Sequence, residues 1–189
     1  MSFVFSPEKA TQVAAFLIKK TQHQRINYLA LIKLLYLVDR QSFIEVGFPI
    51  TGDRHVAMKY GPVLSNVYDL IEDNLTGTDG QQYWSAHIQQ SDYDVFLVED
   101  PGDSELSHFD NTIMSQVFAE HGAKDRWQLV AESHLLGEWL EAYRKNTSTD
   151  ITLESILHAI GKSDQYEEIE QSRKEECYFA ELFGDARAN

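Results

Sequence analysis

A chain of 189 residues with 43% hydrophobic and 12% aromatic residues has enough apolar material to bury one core without disulfides or metals, which excludes global disorder. Thirty Asp and Glu against sixteen Lys and Arg leave a formal net charge of −14, and that field repels a phosphate polymer, so no direct nucleic-acid contact is expected. The single cysteine, Cys177, excludes an internal disulfide. With no signal peptide at the N-terminus and no apolar run long enough to span a bilayer, the chain reads as cytoplasmic, without membrane association.

In chain order, Ser6-Pro7 predicts a helix start, because Ser accepts from a first-turn N–H and Pro has none to leave unpaired. Val13, Phe16 and Leu17 mark an apolar face on this first helix, through which two copies of the chain could pair. A longer helix is predicted from about Asn27 to Gly47. Leu29, Leu31, Ile32, Leu34, Leu35, Tyr36 and Val38 make it apolar around most of its circumference, the pattern of a central, buried helix. Gly47 ends it and Pro49 prevents its resumption. Thr51-Gly52-Asp53 is turn chemistry and His55 to Tyr60 alternates as a short strand. Ser65 is the expected cap of a helix carrying Val67, Tyr68, Leu70 and Ile71, and Thr76 to Gly80 reads as a loop.

Tyr83 to Ile88 and Tyr93 to Val98 are predicted as the two strands of an antiparallel hairpin. Pro101-Gly102-Asp103-Ser104 is the expected boundary between an α/β half, residues 1–100, and an all-helical half, residues 104–189, of one domain spanning 1–189. Beyond it, Ser107 with Asp110 and Asp125 with Gln128 have capping-box spacing, and Gly122 closes the helix between them. Thr152 opens a short helix ending at Gly161, and an acidic helix follows from about Asp164 to Phe183. The class that results is α+β, predominantly helical: a compact helical domain around a long buried helix, with a small antiparallel sheet of about three short strands.

Chemistry-bearing patterns are sparse. Seven histidines are scattered without the paired spacing of a zinc helix. His134 precedes Glu138 by one helical turn, a spacing that binds metal in helical bundles where two such motifs face each other. Only one is present, which favours a hydrogen-bonded structural histidine over a metal-dependent hydrolase built on His134 and Glu138. Gly-rich phosphate loops and nucleophile elbows are absent. No enzyme activity, no cofactor and no metal are therefore expected. Tyr60-Gly61-Pro62-Val63 is the most specific local feature, read as a rigid strand-to-helix corner that presents Tyr60 to a partner.

Ile32-Lys33-Leu34-Leu35-Tyr36 is similar to the Lys-Leu-Leu-Tyr core helix of the Panacea domain, found in GepA-like phage-associated proteins. The resemblance continues through Pro49-Ile50-Thr51-Gly52, Ala57 to Val63, Val67-Tyr68, Leu106-Ser107, Leu129, Ser133-His134 and Glu138-Trp139, over roughly residues 5 to 160. Lys33, Leu34, Tyr36, Gly61, Pro62, Val63 and His134 stand at its signature positions. It implies an antitoxin that neutralises a cognate protein toxin by direct binding; one relative acts instead as an adaptor delivering its toxin to a protease. The family brings no established catalytic residues. Members that regulate their own transcription carry an added DNA-binding module, and no such segment precedes the domain here. Aromatic anchors would hold the toxin, with Tyr60, Tyr68, Trp84 and Trp139 as candidates. The net charge suits a basic toxin.

Overall fold

The computed structural model describes residues 3–184. Helix α1 (Pro7–Lys19) starts at Ser6, whose hydroxyl accepts from Lys9 N–H, and its apolar side is spent inside the chain: Val13, Ala14, Leu17 and Ile18 are fully buried. The face expected to pair two copies is thus covered by the chain's own helices. A short strand β1 (Arg25–Asn27) leads into α2 (Tyr28–Val46), capped by the Asn27 side chain and ended by Gly47 at φ +80°. Leu31, Ile32, Leu34, Leu35 and Val38 of α2 are buried to within 1%. Each such side chain contributes about 1.5–3 kcal/mol of transfer free energy. Around α2 pack α1, α5 (His108–His121) and α6 (Arg126–Ser133).

Two three-stranded antiparallel sheets flank this helix, in the orders β1-β5-β4 and β3-β2-β6. The second is built on a hairpin of β2 (His55–Met58) and β3 (Gly61–Leu64), pairing Met58 with Gly61 and His55 with Leu64. The segment expected as a strand-to-helix corner is therefore a two-residue hairpin turn, Lys59-Tyr60, followed by a strand. Pro62 is tolerated because β3 is a sheet edge, where one ladder N–H is dispensable.

Helix α3 (Ser65–Ile71) corrects a second expectation, since Ser65 makes no cap bond. Asp53 does that work from the preceding loop: its carboxylate accepts from Asn66 N–H at 3.0 Å, Val67 N–H at 2.9 Å and the Asn66 amide at 2.8 Å. Burial pushes the Asp53 carboxyl up, and its bonds from Asn66, Val67 and Arg54 N–H pull it back. The Asp53 N–H donates to Thr51 Oγ1, and Thr51 in turn donates to the fully buried Asp39 of α2.

A third correction concerns Tyr83 to Ile88, expected as a strand: all but Ile88 lie in helix α4 (Asp79–His87), which is capped by Thr78 and also takes in Asp79 and Gly80 of the expected loop. Gln81 and Trp84, three residues apart, turn inward, and α4 packs on α1. The hairpin begins later, with β4 (Ile88–Ser91) and β5 (Asp94–Leu97) joined by Asp92-Tyr93, Asp92 at φ +56°. Both expected capping boxes are present, Ser107 with Asp110 and Asp125 with Gln128. The chain closes with α7 (Gly137–Ala142), β6 (Thr149–Asp150), α8 (Leu153–Ala159) and α9 (Tyr166–Gly184). No helix of the described residues is long and apolar enough to cross a membrane.

Asp53→Ala removes one acceptor from several buried or half-buried donors at once. The expected loss is about 2–4 kcal/mol, read as a lower urea midpoint by circular dichroism; an unchanged midpoint would show that Ser65 can take over the cap.

Candidate partner-binding face

The β2–β3 hairpin tip is held from behind by two side chains, each donating to a backbone carbonyl of the hairpin, with a third ring stacked behind them. Lys33 Nζ of α2 donates to Pro62 O at 2.7 Å, and Trp139 Nε1 of α7 donates to Met58 O at 3.0 Å. His134, the C-cap of α6, lies within electrostatic reach of the Lys59 backbone. Its ring lies flat on Trp139 with centroids 4.2 Å apart, and Trp139 stacks on Tyr143 at 4.7 Å. Gly61 completes the clamp. It sits at φ +96°, and a Cβ there would run into Ser133 Oγ and come within 3.1 Å of Lys33 Nζ. Only glycine allows the strand to approach α6 this closely.

Electrostatics behind the tip are poised near neutrality. Lys33 is 1% exposed, and burial lowers its ammonium to about 7. Burial also lowers the His134 imidazole, the Lys33 charge adds to that effect, and the Lys59 backbone opposes it. Both groups favour their uncharged forms because no carboxylate is bonded to either and the surroundings are poor in water.

What the clamp presents is aromatic. Tyr60 is 47% exposed at the tip, and Trp127 of α6, 54% exposed, meets it edge to face at 6.1 Å. The Lys59 ammonium lies 5.0 Å from the Tyr60 ring centre and the Arg126 guanidinium 5.4 Å from that of Trp127. Tyr28 is within electrostatic reach of Tyr60, Tyr93, Glu72 and Arg126; burial, then Glu72, raise its phenol. Tyr68 is raised by burial, Glu72 and Tyr28, and Tyr28 stacks on exposed Tyr93 at 6.4 Å. The result is two ring pairs, Tyr28–Tyr93 and Tyr60–Trp127, with Tyr28 within electrostatic reach of Tyr60 and Tyr68, drawn from α2, the two hairpin turns, α3 and α6.

Of the four residues expected to anchor a partner, Tyr60 is on this face and Tyr68 is half-buried beside it. Trp84 and Trp139 depart from the expectation. At 3% and 7% exposure they are core residues, Trp84 facing α1 from α4 and Trp139 inside the clamp. The signature positions Lys33, Leu34, Tyr36, Gly61, Pro62 and Val63 are all buried. His134 and Glu138 take different partners instead of facing each other. Glu138 is fully buried and its Oε1 accepts from Tyr36 Oη at 3.1 Å and Arg40 Nε at 2.7 Å. Among the described residues no group of three or more His, Cys, Asp or Glu is placed to hold a metal ion. Trp127 was not a sequence candidate. Helical periodicity does not mark it as exposed, since it stands only about 60° around the helix from buried Val130.

A family model described as "Antitoxin SocA-like, Panacea domain" matches residues 31–140, more than half of the 189-residue chain. The match contains α2, the clamped hairpin, α6 and Trp139. No curated protein and no solved structure matches the chain.

Two outcomes test the clamp. Gly61→Ala combines a left-handed φ with a collision at Ser133, and about 2–4 kcal/mol of stability should be lost. For Lys33 the unfolded chain keeps the ordinary value of 10.5 while the fold lowers it to about 7. Between these values the unfolded state binds the extra proton, so stability rises with pH through the window, by at most about 1.4 kcal/mol per pH unit. Below about pH 7 this benefit is absent. Urea unfolding of wild type and Lys33→Met at three pH values in that window should give a rising line for the former and a flatter one for the latter; parallel lines would show that Lys33 is not the titrating group.

Proposed function

The chain belongs to the Panacea-domain family of SocA-like antitoxins, and from that membership we propose that it neutralises a cognate protein toxin by direct binding, with the Tyr60–Trp127 face at the centre of the contact. The observation that carries this reading is a pair of half-exposed rings that meet edge to face, Tyr60 on a turn whose flanking carbonyls are held by Lys33 and Trp139, and Trp127 on α6. Exposed aromatics are the side chains that most often dominate binding energy. A tip already held in one conformation loses little entropy when a partner covers it. Lys59 and Arg126, laid against the rings, keep those apolar surfaces hydrated at their edges in the free protein.

Neutralisation of this kind needs no reactive group, only a surface that occludes the toxin. The net charge of −14 favours a basic toxin, because opposite fields accelerate encounter. Such steering falls off as the Debye length shrinks from about 10 Å at 0.1 M salt to about 3 Å at 1 M.

The test is co-expression with the product of the neighbouring reading frame, followed by co-purification. Growth should be rescued by the wild-type chain, and Tyr60→Ala or Trp127→Ala should each weaken the purified complex roughly tenfold or more with the melting temperature unchanged. Association should slow as salt is raised. Persistent toxicity with no co-purification would sink the neutralisation reading, and full affinity in both alanine variants would move the footprint elsewhere.

A further inference from the structure

Helix α9 divides into a docked half and an exposed half. Ile169 is buried, and its side chain lies against Gly47 at the end of α2. Buried Arg173 reaches back to Glu170 with Nε and Nη2 bonds of 2.7 and 2.6 Å. Ile169 and the packing against α8 hold the first turns on the body, while the Arg173–Glu170 pair lies within α9 itself. Past Arg173, large apolar side chains turn to solvent in quick succession: Tyr178 is 59%, Phe179 56% and Leu182 53% exposed. Tyr178 and Leu182 stand four residues apart on one face, and the Tyr178 and Phe179 rings meet edge to face at 6.1 Å. The helix lies outside the matched residues 31–140, so family membership assigns it no role.

Charge decides what such a face can meet. Glu167, Glu168, Glu175, Glu176 and Glu181 are exposed on α9, and against them stands the exposed cation Lys174, itself 3.7 Å from Glu170. A second copy of this chain would bring the same carboxylates to the same place, and anionic lipid headgroups would repel them too. A groove with an apolar floor and a rim of Lys or Arg complements both features.

We propose that the distal part of α9 is a docking helix for a basic, apolar-floored groove on the toxin, with Tyr178 and Leu182 as the inserted pair and Glu175, Glu176 and Glu181 meeting the basic rim. This is the helix-in-groove mode, read as anchors at i and i+4. It rests on the neutralisation reading and adds a second contact to it, separate from the clamped tip. The two contacts act through one linked chain, so loss of either lowers the affinity of the whole.

The experiment uses the full chain and the purified product of the neighbouring reading frame. Tyr178→Ala with Leu182→Ala should weaken binding at least tenfold at unchanged melting temperature. Glu175→Gln, Glu176→Gln and Glu181→Gln together leave every apolar contact in place, so they remain informative if the alanine pair unfolds. They should slow association and flatten its dependence on salt. Wild-type binding in both variants overturns the docking helix while leaving neutralisation by the tip intact. A wild-type chain that does not bind overturns both. Light scattering that shows a dimer abolished by the alanine pair assigns the face to a second copy and likewise overturns the proposal.

Discussion

Burying an ammonium, a phenol and a carboxylate on one helix is unfavourable unless each meets a partner, and on α2 every partner comes from a different element. Lys33 meets Pro62 O of β3, Tyr36 meets Glu138 of α7, and Asp39 accepts from Ile50 and Thr51 N–H and from the Thr51 hydroxyl. The three stand three residues apart, so they rise along one side of the helix. Apolar burial by itself would let β3, α7 and the 50–53 loop slide over α2 at little cost. A polar head with one acceptable partner does not permit sliding, because the displaced group stays buried and unpaired. Glu138 shows how closely these positions are linked, since Arg40, one turn beyond Tyr36, reaches the same oxygen.

The proposed partner-binding face inherits its order from that stripe. Met58, Gly61 and Pro62 are placed by contacts from α2, α6 or α7, and none of those contacts uses the side chains of Lys59 or Tyr60. A turn without such backing would sample several conformations, and a binding partner would have to select one of them. Here the rings of Tyr60 and Trp127 already stand together in the isolated chain.

How much of this could be read from the residues depends on how local the cause is. The limits of α2 follow from Asn27 and Gly47, and the capping boxes at Ser107 and Asp125 follow from residues three apart; each cause lies within a turn of its effect. Residues 83–88 look like a strand because their aromatics suit one, yet burial of Trp84 and of Gln81, which donates to Leu70 O of α3, accompanies a helix packed on α1 over most of that stretch. Gly61-Pro62 looks like a break because its sheet partner, Ala57, and the donor to its carbonyl, Lys33, are both supplied by tertiary structure. Tryptophan identity says nothing of exposure, so Trp84 and Trp139 could not be told from Trp127 without knowing what packs around each. The family signature was legible as a pattern of residue types, but its physical content, a lysine and a tryptophan bonded to one hairpin with a histidine stacked on the tryptophan, was not.

The clamp grips main-chain carbonyls at residues 58 and 62, whereas the outward surface is made of side chains at residues 59 and 60. Every amino acid offers the same carbonyl. The tip's outward residues can therefore be exchanged by mutation without releasing the grip that shapes the turn. On the proposed reading, recognition and folding are written on neighbouring residues of one short turn, so a scaffold of this kind can be re-addressed to a new partner by a few substitutions while keeping one fold.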